Sequence, residues 1–173
     1  GVGFVANIRG EKSHDVVRQA IEILLNMDHR GACGCEANTG DGAGILLQIP
    51  HEFLASACDG LGFTLPEPGH YGVGMVFLPQ ATRERRICEK TIEDMIERQG
   101  QTLLGWRDVP TNDASLGKTA RQGEPVVRQV FIGRGPDILV PDALERKLYV
   151  IRKTASTKIS SLNLTHGGEY YVP

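Results

Sequence analysis

The sequence predicts an α+β fold built from helices and mainly antiparallel strands. Short apolar runs typical of strands outnumber the segments with helical spacing, so the crossovers that a parallel sheet requires are too few. The chain has 173 residues, of which 40% are hydrophobic and 23% charged. This length and composition are typical of a soluble globular protein with its own core.

The first helix is the clearest element of the N-terminal part. Apolar side chains recur at helical spacing after Ser13, a good N-cap residue, and the pattern ends near Met27. Before the helix, the apolar and β-branched run of residues 2–8 predicts a strand. After it, residues 29–31 are expected to form a turn in which Gly31 is free to adopt a positive φ.

A glycine-rich loop is predicted next, over residues 31–44. Residues 45–49 are apolar and β-branched, and they predict a buried strand that Pro50 ends. A short helix is expected over residues 51–57, followed by a loop rich in glycine and proline that reaches residue 70.

Three further strands are predicted, over residues 71–77, 102–109 and 126–132. The second and third are separated by a long polar loop of residues 110–125. Residues 170–172 are expected to begin another strand. The whole chain is assigned to part of a single domain, in which residues 1–58 and 71–173 form two blocks.

Two helices accompany these strands. One has Thr82 as its predicted N-cap, runs to about Arg98 and is stopped by Gly100. The other begins at Pro141 and has basic residues at its end, near Lys153. The predicted apolar stripes are Cys88, Ile92, Met95 and Ile96 in the first helix and Leu144, Leu148 and Ile151 in the second.

The charge balance excludes several classes of partner. The chain has 19 basic and 21 acidic residues, so a nucleic acid, which needs a basic surplus, is not expected as a partner. Residues 83–86 include three arginines, but acidic neighbours favour a solvated helix face. No apolar stretch approaches the roughly 18 residues of a membrane span, so no membrane contact is expected.

The cysteines and the start of the sequence indicate the compartment of the protein and whether the chain has been processed. No secretory signal is visible, and the four cysteines are expected to be reduced thiols of a cytoplasmic protein. The chain opens on Gly1 and has no initiator methionine, so it is expected to have been processed or cut from a longer protein.

Several motifs, in a fixed order, resemble one enzyme family. These are Gly1-Val2-Gly3-Phe4-Val5, Met27-Asp28-His29-Arg30-Gly31-Ala32, Ala37-Asn38-Thr39-Gly40-Asp41-Gly42-Ala43-Gly44-Ile45, Tyr71-Gly72-Val73-Gly74-Met75-Val76-Phe77-Leu78-Pro79, Gly105-Trp106-Arg107-Asp108-Val109-Pro110, Arg128-Gln129-Val130-Phe131-Ile132 and Lys158-Ile159-Ser160-Ser161. The opening run resembles class II glutamine amidotransferases, and the later motifs resemble the glutamate synthase large subunits among them.

The resemblance implies a fold and an activity. The fold is the four-layer αββα sandwich of antiparallel sheets of N-terminal nucleophile hydrolases, incomplete in this chain. The activity is hydrolysis of L-glutamine to glutamate and ammonia, which is channelled to amination of 2-oxoglutarate in the rest of the parent chain. The parent is expected to use FMN, an iron–sulfur cluster and electrons from NADPH or ferredoxin, with a small electron-transfer subunit as an alternative partner. Its expected location is the cytoplasm, or the plastid stroma in a photosynthetic eukaryote.

The resemblance also implies where the active site lies. The nucleophilic cysteine is expected immediately before Gly1, so no catalytic residue is assigned within the chain and the isolated chain is expected to be inactive. The family's arginine for the substrate carboxylate and its Asn-Gly oxyanion pair are not found here. Residues expected to support the site are Gly1, Arg30, Gly31, Gly40 and Asp41.

Each of these candidates has a structural alternative. Arg30 either braces the loop around the nucleophile or fixes a turn by bonding carbonyls, and His29 is better interpreted as a turn residue. The glycines of residues 40–44 precede a predicted strand and no helix, which disfavours nucleotide binding. Cys33 and Cys35 form a Cys-x-Cys pair, but a zinc or iron–sulfur site needs three or four ligands at suitable spacing. The other two cysteines are too far away in the sequence to complete one, so no metal site is predicted.

Two other functions remain open. One is a non-catalytic docking or regulatory module with the same fold and no nucleophile. The other is a small-molecule-binding domain built on residues 71–132. A cysteine before Gly1 supports the enzyme, and any other residue there supports the docking or regulatory module. The binding domain is tested by whether residues 71–132 fold independently and are stabilised by a ligand.

Overall fold

The structure is a computed structural model that describes residues 1–31, 40 and 42–173. These divide into two compact units, one of residues 1–48 and 113–122 and the other of residues 49–112 and 123–173. The helices and strands, in chain order, are α1 His14–Asn26, α2 His51–Cys58, β1 Tyr71–Leu78, α3 Thr82–Arg98, β2 Thr102–Asp108, α4 Lys118–Gln122, β3 Val126–Gly133 and α5 Pro141–Ser161. Two short 3₁₀ turns cover Asp28–Arg30 and Gly167–Glu169.

The second unit contains a three-stranded antiparallel sheet in the order β1-β3-β2. The central strand β3 pairs along its whole length with β1, from Val126 opposite Leu78 to Gly133 opposite Tyr71. Its other edge pairs with β2, where the register shifts between Leu103 and Gly105. Helices with a small antiparallel sheet are compatible with the predicted α+β class.

The core of the second unit lies on both faces of this sheet. Because alternate side chains of a strand point to opposite faces, Val130 and Ile132 pack with α3 and α5, while Phe131 packs with α2. The larger cluster includes Ile96 of α3 and Ile159 of α5, each 1% exposed. Because both faces of the sheet are covered, consecutive residues at the C-terminal end of β3 are buried, and that end is a continuous apolar run.

The predicted helix boundaries are confirmed at several points and corrected at two. Ser13 caps α1, since its Oγ accepts a hydrogen bond from the Asp15 amide at 3.0 Å. Gly100 follows α3 with a φ of +69°, the left-handed conformation that commonly ends a helix. Thr82, however, is the first residue of α3 and not its cap. The helix α5 continues to Ser161, well beyond the predicted end at Lys153.

Two predicted strands are absent. Residues 2–8 and 45–49 form no strand, and Val2, Phe4 and Leu46 are 98%, 90% and 101% exposed. A strand needs a hydrogen-bonded neighbour, and within the described part of the chain neither run pairs with one. The prediction of strands from these apolar, β-branched runs was therefore wrong, because the composition of a run does not show whether a pairing partner is present.

Smaller differences concern turns and the C-terminal residues. Gly31 has a φ of −79° and does not use the left-handed region that its identity allows. The predicted loop 110–125 contains α4. The predicted C-terminal strand is reduced to a single antiparallel bridge between Tyr171 and Phe77. None of the helices in the described ranges has the length and apolar character needed to cross a membrane.

Candidate functional site

The N-terminal segment lies against α1 in the first unit. A Cβ atom built on Gly1 would stand 2.8 Å from the Sδ of Met27 and 3.8 Å from the Cβ of Arg30. A Cβ built on Gly3 would stand 2.6 Å from Cγ2 of Ile23. Both distances are shorter than an ordinary van der Waals contact, so the segment comes this close because neither position carries a side chain.

The turn after α1 places Arg30 beside the first residue. Its amide donates to the Met27 carbonyl at 2.7 Å, and the Gly31 amide donates to the Asp28 carbonyl at 3.0 Å. The Arg30 Nε donates to Nε2 of His29 at 3.2 Å, so that ring nitrogen acts as an acceptor. Three of the candidate residues are thus located: Gly1 and Arg30 are neighbours, and Gly31 closes the turn.

The glycine-rich loop is only partly described. Gly40 is exposed and forms no backbone hydrogen bond with Gly1 among the described residues. Asp41 lies outside the described residues, as do Cys33 and Cys35. Gly42 has a φ of +93°, a conformation that disfavours any residue with a side chain.

The sequence pattern did not single out Met27 as a contact of the N-terminal segment. Met27 follows Ile23 by four residues, so both side chains lie on the same face of the helical turn. That spacing, together with glycines at alternate positions 1 and 3, is the only signal in the sequence that could have indicated the contact.

The described thiols are poor nucleophiles. Cys58 is 2% exposed and Cys88 is fully buried. Burial raises the pKa of Cys58, and it raises the pKa of Cys88 to about 11, with the Glu84 and Glu89 carboxylates adding to the effect. Since the thiolate is the reactive form, both residues are packing groups at neutral pH.

A polar cavity of about 370 Å³ lies in the second unit, where α3 meets the ends of β2 and β3. Arg128, whose side chain is 20% exposed, donates to Glu89 and to Asp108, each at 2.6 Å, and its guanidinium lies 5.2 Å from the centre of the Trp106 ring. Arg85 donates to backbone carbonyls at the start of α3. The guanidinium groups are therefore held by groups of the protein itself, and the cavity is better explained as a structural ion-pair network.

The described residues offer no metal site, because no three potential His, Cys, Asp or Glu ligands come together among them. Cys58 and Cys88 belong to different core clusters. These two thiols alone do not meet the four-cysteine requirement of an ordinary iron–sulfur cluster.

Comparison with known proteins adds the family context. The sequence model of the family described as "Glutamine amidotransferases class-II" matches residues 1–173. The NADPH glutamate synthase large chain of Bacillus subtilis is 45% identical over 171 residues, covering 99% of this chain and 11% of its own length.

Two other relatives agree with this finding. The NADH glutamate synthase of Saccharomyces cerevisiae is 41% identical over 172 residues, covering 94% of this chain and 8% of that protein. The ferredoxin-dependent glutamate synthase 2 of Synechocystis is 38% identical over 160 residues, covering 92% and 10%. The chain thus spans about a tenth of the length of these relatives.

Proposed function

This chain belongs to the class II glutamine amidotransferases, and we propose that it is the glutamine-hydrolysing domain of a glutamate synthase. The observation that carries the proposal is a match over the whole chain, with the motifs at the start, at residues 27–32 and at residues 37–45 in the family's order. The close contact of Gly1 with the Met27–Arg30 turn supports a common site for the first two motifs.

In the proposed reaction the nucleophile is a cysteine that precedes Gly1 in the parent protein. Its α-amine, with an ordinary pKa of about 7.7–8.0, takes the thiol proton. The thiolate attacks the glutamine amide carbon, ammonia leaves with that proton, and a thioester remains. Water then cleaves the thioester to glutamate and restores the thiol.

Arg30, Gly31, Gly40 and Asp41 are proposed to support this site. Arg30 lies beside Gly1, and its guanidinium is exposed and hydrogen-bonded to His29. A guanidinium in this position stabilises loop carbonyls or a carboxylate near the nucleophile. A purely structural role in the turn predicts the same contacts, so kinetics must separate the two roles.

The rest of the proposal concerns the parent protein. Ammonia is channelled to the amination of 2-oxoglutarate, and FMN and an iron–sulfur cluster are held by the other domains of the parent. Electrons come from NADPH, from ferredoxin or through a small electron-transfer subunit, as the names of the relatives suggest. The parent is placed in the cytoplasm, or in the plastid stroma of a photosynthetic eukaryote.

We also propose that the domain completes the αββα sandwich of N-terminal nucleophile hydrolases when the rest of the parent is present. The second unit, in which helices α3 and α5 cover one face of an antiparallel sheet, is compatible with one half of such a sandwich.

The proposed function is tested on the purified parent protein. Ammonia release from L-glutamine is measured for the unmodified protein and for a variant with alanine in place of the residue before Gly1. We expect release by the first and a loss of at least about 1,000-fold in the second, because removal of a catalytic nucleophile can cost up to about 10⁶ in kcat. Equal rates of release would contradict the proposed nucleophile. No release by the unmodified parent would contradict the proposed function and favour a docking or regulatory module.

A further inference from the structure

The contact between the N-terminal segment and α1 has a regular geometry. Gly1 lies over Met27 and Gly3 over Ile23, so the segment runs antiparallel to the helix. Two residues of extended chain span about 6.6 Å, and four residues of helix span about 6 Å, so the two repeats match. Val2 and Phe4, which alternate with the glycines, are 98% and 90% exposed and point elsewhere.

The two contacts differ in stiffness. Ile23 is β-branched and lies within a helix, where its side chain has one strongly preferred χ1 rotamer. Met27 presents a flexible thioether that adapts to its neighbours. A methyl group added at Gly3 must therefore displace the segment, whereas one added at Gly1 can be accommodated by movement of the sulfur.

We propose that Ile23 of α1 and Met27, the C-cap residue of that helix, are positioning residues. They hold the backbone of the nucleophile-bearing segment through a contact that requires glycine at position 3 and a close but more adaptable contact at Gly1. This inference rests on the proposed function, because it concerns the residue that precedes Gly1. In this proposal Ile23 and Met27 act on the reaction only through the segment and do not bind the substrate.

The alternation along the segment also orients the nucleophile. Successive side chains of an extended chain point to opposite sides. If the alternation of Gly1 and Gly3 with the exposed Val2 and Phe4 continues by one residue, the side chain before Gly1 lies on the side of Val2 and Phe4, away from α1. In this proposal the glycines that face the helix hold the backbone, and the side chain of the preceding residue is available to react with glutamine.

The packing is tested first by cross-linking in the parent protein. The built Cβ of Gly3 stands 3.9 Å from the Cβ of Ile23, inside the range of about 3.5–4.5 Å for a disulfide. The Gly3→Cys, Ile23→Cys double variant is expected to form this disulfide under mild oxidation, detected by mass spectrometry of peptides. The matched control pairs Gly3→Cys with Ile21→Cys, two residues along the helix and facing elsewhere, and should not cross-link.

The positioning role is tested by the kinetics of glutamine hydrolysis. Displacement of a reacting group by about 1 Å can cost about 100-fold in rate, so Gly3→Ala is expected to lower kcat by about that factor. The KM should change by less than about threefold, because substrate contacts are intact. Gly1→Ala should lower kcat less, and Gly3→Ala combined with Ile23→Ala should recover most of the loss.

Gly123→Ala is the matched control for the added methyl group, because nothing lies within 4 Å of a Cβ at that position. A Gly3→Ala parent that matches this control, a loss that Ile23→Ala does not rescue, or failure of the Gly3–Ile23 cross-link would each overturn the inference. An unmodified parent that releases no ammonia would instead refute the proposed function and, with it, any role of α1 in catalysis.

Discussion

At the scale of single residues, Glu84 joins two distant parts of the second unit. Its carboxylate accepts hydrogen bonds from the amides of Thr165 and His166, at 3.1 and 2.8 Å, and lies 3.4 Å from the His166 ring. The backbone hydrogen bond from His166 is the main cause of a lowered pKa of Glu84. The ionised form is therefore the one that the folded state stabilises.

This lowered pKa gives a pH-dependent prediction. A carboxylate with a depressed folded-state pKa contributes stability above its unfolded pKa and loses it as the pH falls through the folded value. Glu84→Gln should therefore lower the thermal midpoint at pH 7, and the difference from the unmodified protein should shrink in acid. Glu145→Gln, at an exposed position of α5, is the control. A deficit that is the same at pH 7 and in acid would contradict this account.

Thiol reactivity is predicted from burial. Cys58 and Cys88 should resist iodoacetamide at pH 7.5 in the native protein and react once it is denatured, because burial holds both as thiols. Peptide mass spectrometry measures the labelled fraction of each. Rapid labelling of either one without unfolding would show that its surroundings are more open than described.

At the scale of elements, Arg128 connects β3 to both α3 and β2. Glu89 is 6% exposed at its side chain and receives Arg128 at 2.6 Å, while Arg86, 79% exposed, approaches it only to 3.7 Å. Removing one partner of a buried ion pair leaves an uncompensated charge. Substitutions of Arg128 and Arg86 therefore compare the loss of a buried partner of Glu89 with the loss of an exposed one.

Arg128→Met is expected to lower the free energy of unfolding by about 3 kcal/mol, the low end for a broken buried pair. Arg86→Gln should change it by less than about 1 kcal/mol, as for an exposed pair. Urea denaturation measures both. Adding Glu89→Gln to Arg128→Met should recover part of the loss, and equal effects of the two arginine variants would refute the assigned roles.

The sequence predicted elements well where local signals and tertiary packing agree. The Ser13 cap, the apolar stripe of α3 and the strands at residues 71–77, 102–109 and 126–132 are present, within one residue at each strand end. It failed at residues 2–8 and 45–49, because strand pairing depends on partners that composition cannot reveal. Of the candidate site, the Arg30 turn was predictable, but the contact of Gly1 with Met27 was not.

At the scale of the whole molecule, the two units differ in burial. None of the described residues of the first unit is buried, whereas the second unit holds the core. Exposed apolar side chains of this kind favour self-association. The chain of 173 residues should therefore aggregate or form oligomers in light-scattering measurements, and a sharp, reversible thermal transition of a monomer would contradict this expectation.

The most direct test of the account is N-terminal mass spectrometry of the mature parent protein. We predict a free cysteine immediately before Gly1, the nucleophile of a segment that the glycine contacts hold against α1. A mature protein that begins with Gly1, or that carries another residue before it, would leave the family assignment intact and contradict glutamine hydrolysis by this mechanism.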